Sequence, residues 1–599
     1  VGFVFLQLIS FLNPTIEAKM TSVPKVPAGP VSPESASPAP VKESGAQRAE
    51  RLKREKNPFL AFEEVRTFAR EGRASVTPEW ESFYSKWWGI YTQGDGVGAT
   101  GGKGGEGVVS DYFMMRIGIP NGILTSDQLR TIAGITKKHA RNLADITVRQ
   151  CIQLHWLTVE SLPEIVDTLT AAGLSPIGAC GDVVRNVTGC PLAGIAHDEI
   201  IDASPLAKEI AALLMGNPEF FNLPRKFKIA VTGCPSWCSH PEINDVALTA
   251  VRHNGQVGFS LRVGGGLSKE PHLAVKLDAF VLPEQAYPVA RAVCEIFRDQ
   301  QGLRENRTRA RMKYLFLKEG WTAESFLTEL QSRLDFKLAP AVPESVPDDI
   351  YRDHTGIHAQ RQAGLSTVGA SVLRGRLTGD QLEAAANLAD RFGTGSLRTT
   401  VAQNLVFLNV PNAKTAELAT ELGKIDLRVE ASSFWRGGVA CTGTEFCKLA
   451  ITETKGFLRW LVEDLEDRLP EFDQQLRLHV TGCPNGCGQH WIADIGLEGK
   501  KIKHEGKLTD AYYFCVGGAV GEHAAIARTV GYRCPAPLVP EAIERMLRRY
   551  LAEREPAENL RQWFGRHSDE ELRACLAGEA VAPVERDLPV GAVPHGVAE

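Results

Sequence analysis

Cys441-Thr-Gly-Thr-Glu-Phe-Cys447 and Thr481-Gly-Cys483-Pro-Asn-Gly-Cys487 hold four of the chain's thirteen cysteines, in two pairs about forty residues apart. Soft thiolates suit iron, and a four-iron cubane needs four of them converging from loops that glycine and proline bend tightly. Structural zinc is the competing reading. Zinc ligand pairs usually stand two to four residues apart, so the five residues between Cys441 and Cys447 fit it loosely. The spacing points to an iron–sulfur cluster on Cys441, Cys447, Cys483 and Cys487.

A second group is cationic. Arg116 precedes the Asn121-Gly122 turn, and Arg185 sits in Gly181-Asp-Val-Val-Arg185-Asn186. Arg149, Gln153 and His155 fall on the same side of a predicted strand, and Lys226 and Lys228 on the same side of an extended Leu223-Pro-Arg-Lys226-Phe-Lys228. Arg304, Arg307 and Arg311 share one face of a predicted basic helix. Singly, each would be an ordinary solvated charge. Gathered in one pocket, they would hold carboxylates or a small oxyanion through charge-assisted hydrogen bonds.

The elements that must position these residues come in two copies. Gly122-Ile-Leu-Thr-Ser-Asp-Gln-Leu129 matches Gly375-Arg-Leu-Thr-Gly-Asp-Gln-Leu382 without a gap, and Thr232-Gly-Cys-Pro-Ser-Trp-Cys238 matches Thr481-Gly-Cys-Pro-Asn-Gly-Cys487. Copies of about 250 residues are domains rather than solenoid repeats. In each, Leu-Thr-x-Asp-Gln-Leu opens a helix, and a strand (Cys151 to Val159, Leu405 to Val410) and a further helix (Leu162 to Ala172, Thr415 to Leu422) follow. The expected fold is α+β, internally duplicated about a pseudo-twofold axis. Each half has a half-domain with helices on one face of a sheet (57–175 and 346–430) and an α/β domain (176–345 and 431–555); a C-terminal helix and tail take 556–599.

With 599 residues, 43% of them hydrophobic and 23% charged, the chain reads as a multidomain globular protein. A net charge of -5 argues against a general nucleic-acid binder. An odd number of cysteines, clustered at ligand spacing, fits a reducing compartment, and a cytoplasmic location is expected. The apolar run from Val1 to Leu12 is too short to span a bilayer, and no membrane association is expected. Met20 is the first methionine, so residues 1–19 read as an upstream extension of the frame; with the Pro-, Ser- and Ala-rich segment that follows, 1–56 read as a disordered leader. Trp80 to Trp88 reads as an aromatic helix. Gly96-Val-Gly98-Ala-Thr-Gly101 matches a dinucleotide fingerprint, but no strand leads in and no helix follows, so a mobile active-site loop is expected instead.

Taken together, Cys441-Thr-Gly-x-x-Phe-Cys447, Glu453-Thr-Lys455, Thr481-Gly-Cys-Pro-Asn-Gly-Cys487-Gly-Gln489 and Ala493-Asp-Ile-Gly496 resemble the nitrite and sulfite reductase family, a resemblance that runs from about residue 57 through nearly the whole chain. It implies ferredoxin-like half-domains and α/β domains that bind siroheme and a [4Fe-4S] cluster, with Cys487 also ligating the siroheme iron. It assigns Arg149, Gln153 and His155 to siroheme, whose eight carboxylates also call for Arg304, Arg307 and Arg311. Arg116, Arg185, Lys226 and Lys228 become the catalytic cations over the open axial position, and Arg398 and Gln403 line the cofactor.

The activity implied is six-electron reduction of nitrite to ammonia, with sulfite reduction to sulfide as the alternative. Lys228, where nitrite enzymes of the family usually carry Asn, speaks for sulfite; the second-half motifs resemble ferredoxin-nitrite reductases, and nitrite is the expectation. No flavin or nicotinamide module remains unassigned. A separate one-electron carrier, ferredoxin or flavodoxin, is therefore the expected donor, docking near Lys448, Lys500, Lys501 and Lys503, and a monomer is expected. Two further readings are a corrinoid oxygenase of the cobalamin pathway, which Lys226 and Lys228 argue against, and an electron-transfer protein without siroheme. Cys180, Cys190, Cys234 and Cys238 offer four more thiols; without a second CxxxxxC they read as reduced, buried relics of the duplication. Tyr91 and Cys180 are expected to approach the distal pocket, as a Tyr and a Cys do in some sulfite-reducing relatives.

Overall fold

The two Leu-Thr-x-Asp-Gln-Leu motifs begin helices as their chemistry requires. Thr125 and Thr378 each accept a hydrogen bond from the N3 backbone amide, and Gln128 and Gln381 Oε1 accept one from the backbone N–H of the cap, closing capping boxes on Ser126–His139 and Gly379–Phe392. The residues described by this computed structural model are 43–94, 111–344 and 352–579. The Gly96–Gly101 loop, most of the leader and the C-terminal tail lie outside them.

Four five-stranded sheets result, two of each kind. Each half-domain sheet is completed by its sister. Ile123–Thr125 of the first half pairs with Ser396–Thr399 of the second, and Arg376–Leu377 pairs reciprocally with Ala144–Ile146. The exchange requires two very close approaches. Gly122 (φ 66°) and Gly375 (φ 68°) enter the left-handed region, and a Cβ on either would stand 2.2 Å from the Thr399 carbonyl or 2.6 Å from that of Ile146. The two capped helices pack together across the pseudo-twofold axis, with Arg130–Asp390 and Lys137–Glu383 ion pairs between them. A single apolar core runs through both half-domains, from Leu129 and Ile132 to Leu382 and Phe407.

Each α/β domain has its own core and a mixed sheet. Gly438–Ala440, Leu478–Thr481 and Ile495–His504 run parallel, then two antiparallel strands follow. The first copy repeats this with Thr188–Gly189, Ile229–Thr232 and Val246–His253. Because neighbouring strands are parallel, their C-terminal ends emerge on one edge, the side on which such sheets bind ligands. Cys441 follows one strand and Cys483 the next, which is why pairs so distant in sequence meet.

Four expectations need correction. Residues 45–55, assigned to the leader, form a helix with its own capping box at Ser44, and it packs into the first core through Ala49 and Leu52. Trp80 to Trp88 divides into a helix Pro78–Ser82 and a 3-10 turn Tyr84–Trp88. The basic segment after Leu303 forms two 3-10 turns, Gly302–Arg304 and Arg307–Arg309, instead of one helix. The last segment holds two helices, Leu560–Gly565 and Asp569–Ala577, whose Trp563 and Leu572 belong to the same core as the strands of the second α/β domain.

Candidate active site

The cavity between the halves has a volume of about 160 Å³. Among the described residues seven basic side chains line it, Arg116, Arg149, Arg185, Lys226, Lys228, Arg311 and Lys455, against one carboxylate, Asp145. Cys441 and Cys487 form its floor together with Asn485, Gly486 and Gln489.

Backbone and side-chain partners fix most of these cations. Arg116 donates to Gln153 Oε1 (2.9 Å) and to Cys180 Sγ (3.0 Å). Arg185 donates to the carbonyls of Gly181 and Ala179. Arg149 leaves the turn before the strand Ile152–Leu157, not the strand itself, and donates to Asn244 Oδ1 and the Asn186 carbonyl; burial lowers its pKa to about 10, and its buried Nε has no partner. Arg311 pairs with buried Asp245, which also accepts from the Lys228 backbone amide. Lys226 and Lys228 flank Phe227, whose bridge to Val184 turns both toward the cavity. Among the described residues neither ammonium has a hydrogen-bond or ion-pair partner. Burial pushes Lys226 down to about 7, and Lys228, crowded further by Arg311 and Arg149, well below its usual range.

Other expected site residues stand elsewhere. His155 is fully buried, stacked on Phe446 and hydrogen-bonded to Asp145 (3.0 Å), outside the cavity wall. Arg304 is held by Glu50 and Asn222, and Arg307 by Asp182, both away from the cavity. Arg398 donates to the Leu397 carbonyl and does not line the cavity; Gln403 lines it, but its amide is committed to Ile146 and Ala440. Cys180 stands apart from Cys190, Cys234 and Cys238, between Arg116 and Tyr91; burial pushes the Tyr91 hydroxyl, which hydrogen-bonds Cys180, up to about 12.

The sequence reading missed an ionic network behind the cavity. Asp145 receives Arg376 through two nitrogens (2.9 and 3.1 Å), Lys455 at 3.5 Å and His155, while Arg376 also reaches Glu445 in the cluster loop. Burial resists ionisation of Asp145, but Arg376 and Lys455 hold it well below the usual carboxylate range. The Leu-Thr motif pointed at Arg376, one residue before it; nothing in the local sequence singles out Asp145.

The four cysteines lie within electrostatic range of one another. Cys441 Sγ accepts from the Gly482 amide (3.3 Å), and Cys447 caps the short helix Gly443–Phe446. Burial pushes the Cys447 and Cys483 thiols up to about 12, so metal binding must displace their protons. The profile described as the nitrite and sulphite reductase 4Fe-4S domain matches residues 180–338 and 432–583, and that of the nitrite/sulfite reductase ferredoxin-like half domain matches 108–172 and 358–425. The chain belongs to the nitrite and sulfite reductase family.

Relatives in that family divide by substrate in their names. The chain is 36% identical to an assimilatory ferredoxin-dependent nitrite reductase of Haloferax mediterranei, over 88% of this chain and 92% of the relative. It is 37% identical to a sulfite reductase [ferredoxin] 1 of Mycolicibacterium paratuberculosis, over 85% and 92%. The solved structure of the Mycobacterium tuberculosis NirA protein superposes with a TM-score of 0.83 at 35% identity, covering 88% of this chain and 97% of that one. The family's cofactors are siroheme and a [4Fe-4S] cluster, and the cavity fits them: Cys441 and Cys487, two of the four neighbouring thiols, open onto a chamber whose surplus of cations, including the unpartnered Nε atoms of Arg149 and Arg311, suits a polycarboxylate. Among the described residues no helix is long and apolar enough to cross a membrane.

Proposed function

We propose that this protein is a ferredoxin-dependent reductase that carries six electrons to a small oxyanion, sulfite in preference to nitrite. One observation carries the choice: Lys228 reaches the cavity beside Lys226, Arg116 and Arg185 without an acidic partner of its own. Sulfite brings up to two negative charges and nitrite one, so sulfite draws protons onto the two buried lysines more strongly and gains more from the charge they then carry.

The residues divide the work. Arg116 and Arg185, locked by Gln153, Ala179 and Gly181, present planar donors to the oxyanion. Lys226 Nζ, brought near neutrality by burial, gives a proton to a departing oxygen and regains one from water. Lys228 Nζ, whose protonation burial and the neighbouring arginines oppose, takes up a proton as the anion enters and then adds charge and a second donor. Cys441, Cys447, Cys483 and Cys487 would hold the cluster, and Cys487, Arg149, Arg311 and Gln153 would hold siroheme. When bound, these cofactors would supply the one-electron transfer chemistry that the reduction requires.

Nitrite is the second reading, favoured by the second-half motifs and by the name of the Haloferax mediterranei relative. Turnover of the siroheme-positive holoenzyme with reduced methyl viologen, scored for sulfide and ammonia in parallel, separates the two. Sulfite should give the higher kcat/KM, and Lys228→Asn should shift the ratio toward nitrite by about tenfold, roughly 1.4 kcal/mol of differential stabilisation. Dominant ammonia production that Lys228→Asn leaves unchanged would return the assignment to nitrite.

A further inference from the structure

The first α/β domain carries its own thiol site. Thr188 faces Ala230 in the first copy where Val439 faces His479 in the second, so Cys190 occupies the place of Cys441. By the repeated Thr-Gly-Cys-Pro motif, Cys234 and Cys238 answer to Cys483 and Cys487. Three of four cluster positions are thus present, while the turn after Cys190 contains no counterpart of Cys447.

The geometry differs from that of the cluster site. The sulfurs of Cys190, Cys234 and Cys238 all lie within 4.8 Å of one another, the sole such group among the described residues, and Cys234 and Cys238 are 3.4 Å apart. A tetrahedral ion with metal–sulfur bonds of about 2.3 Å separates its thiolates by roughly 3.8 Å. A cubane binds each thiolate to a different iron and needs a wider set, as Cys441, Cys447, Cys483 and Cys487 provide.

A nitrogen ligand stands nearby. His354 is 7% exposed, its buried Nε2 has no hydrogen-bond partner, and it lies within electrostatic reach of Cys234, although its ring nitrogens are not within 4.8 Å of all three sulfurs. Its backbone occupies the left-handed region (φ 61°), a conformation that the surroundings must hold in place. They do so from both sides. Arg352 pairs with Asp198 (2.5 Å), the Arg361 amide donates to the Ile195 carbonyl (2.9 Å), and Gln362 donates to that of Gly194 (3.2 Å). The segment bearing His354 is thereby clamped to the loop that follows Cys190.

We propose that Cys190, Cys234 and Cys238 bind a single zinc ion, and that the His354 ring, which stands outside the 4.8 Å thiol group, turns in as the fourth ligand of a structural site separate from the cofactor cavity. Three thiolates and an imidazole are a soft, closed, tetrahedral set that suits zinc and offers nothing to magnesium or calcium. The ion would tie the first α/β domain to the second half-domain, since His354 immediately precedes the strand Gly356–Ala359. Without metal, these residues would be an apolar thiol pocket packed on Ala193.

The test is metal analysis of the holoenzyme purified without chelator. About one zinc per chain is expected beside the iron of one cluster and one siroheme, with a zinc K-edge spectrum fitted by three sulfurs and one nitrogen. Cys234→Ser/Cys238→Ser should lose the zinc and keep the siroheme and cluster absorbance. If that variant fails to fold, titration of the wild-type protein with a mercurial should release zinc in step with three thiols. A zinc-free protein in which these three cysteines alkylate as free thiols, or a Cys234–Cys238 disulfide, would overturn the proposal. So would iron in excess of one cluster and one siroheme, or zinc retained by the double variant. A spectrum without nitrogen would remove His354 from the ligand set.

Discussion

Lys226 and Asp182 show how single side chains set this cavity's chemistry. Around Lys226, Arg311, Arg225 and Arg185 oppose a proton and Cys487 favours one, and burial outweighs them all. A lysine poised at about 7 acts as an acid below that pH, so activity should fall on a basic limb at or above neutrality, drawn upward by any anion in the cavity. Lys226→Gln should lower kcat/KM by about a hundredfold and abolish that limb in a pH–rate profile. Asp182 works from behind. It is buried under Lys53 (3.3 Å), Arg225 (3.1 Å) and Arg307, and so joins the Arg185 loop, the Lys226 segment and the helix Gly45–Glu55. Burial would raise its pKa, but these three cations hold it far below the usual range, so its stabilisation is complete above about pH 4 and is lost as pH falls further. Asp182→Asn removes the carboxylate that three cations share, leaving Lys53 with Glu50 and the Leu223 carbonyl, and should cost about 3 kcal/mol, read as a lower unfolding midpoint at neutral pH and a smaller acid sensitivity. The lysines were legible because an extended chain alternates its side chains. Asp182 and Asp145 were not, because a buried carboxylate in a loop is recognisable only once distant cations converge on it.

At the level of elements, capping and strand exchange decide what the sequence discloses. Thr-x-x-Gln capping is local chemistry, so both long helices could be read directly. The reciprocal strand pairing was hidden, because Gly122 and Gly375 look like ordinary turn glycines until Thr399 and Ile146 from the other half are set against them. Gly122→Ala should therefore lower the unfolding midpoint by several degrees, since the residue is left-handed and its Cβ would meet a carbonyl. Gly134→Ala, on the exposed face of Ser126–His139 with nothing within 4 Å of its Cβ, should raise it slightly, by up to about 1 kcal/mol. The predicted basic helix failed for a related reason. Arg304 and Arg307 are spaced for one helical face, but Glu50 and Asp182 draw them to separate partners and the chain breaks into turns.

Across the whole molecule, duplication creates a cavity to which both halves contribute, and the cluster thiols lie between that cavity and the surface. A protein donor is expected to dock on the cluster side. Lys500 and Lys501 are neutralised there by Glu498 and Asp510. Lys448, next to Cys447, has no ion-pair partner among the described residues, and Leu449 beside it is 63% exposed. A cation flanked by an exposed apolar side chain is suited to an acidic carrier, whose charge steers encounter and whose apolar rim makes contact. Lys448→Glu should then raise KM for reduced ferredoxin about tenfold and steepen no salt dependence, because the attraction it removes is the one that salt screens. Turnover driven by methyl viologen, a small dye that needs no docking face, should stay within twofold of wild type. Equal losses with both donors would place Lys448 in support of the cluster loop instead of at the docking surface.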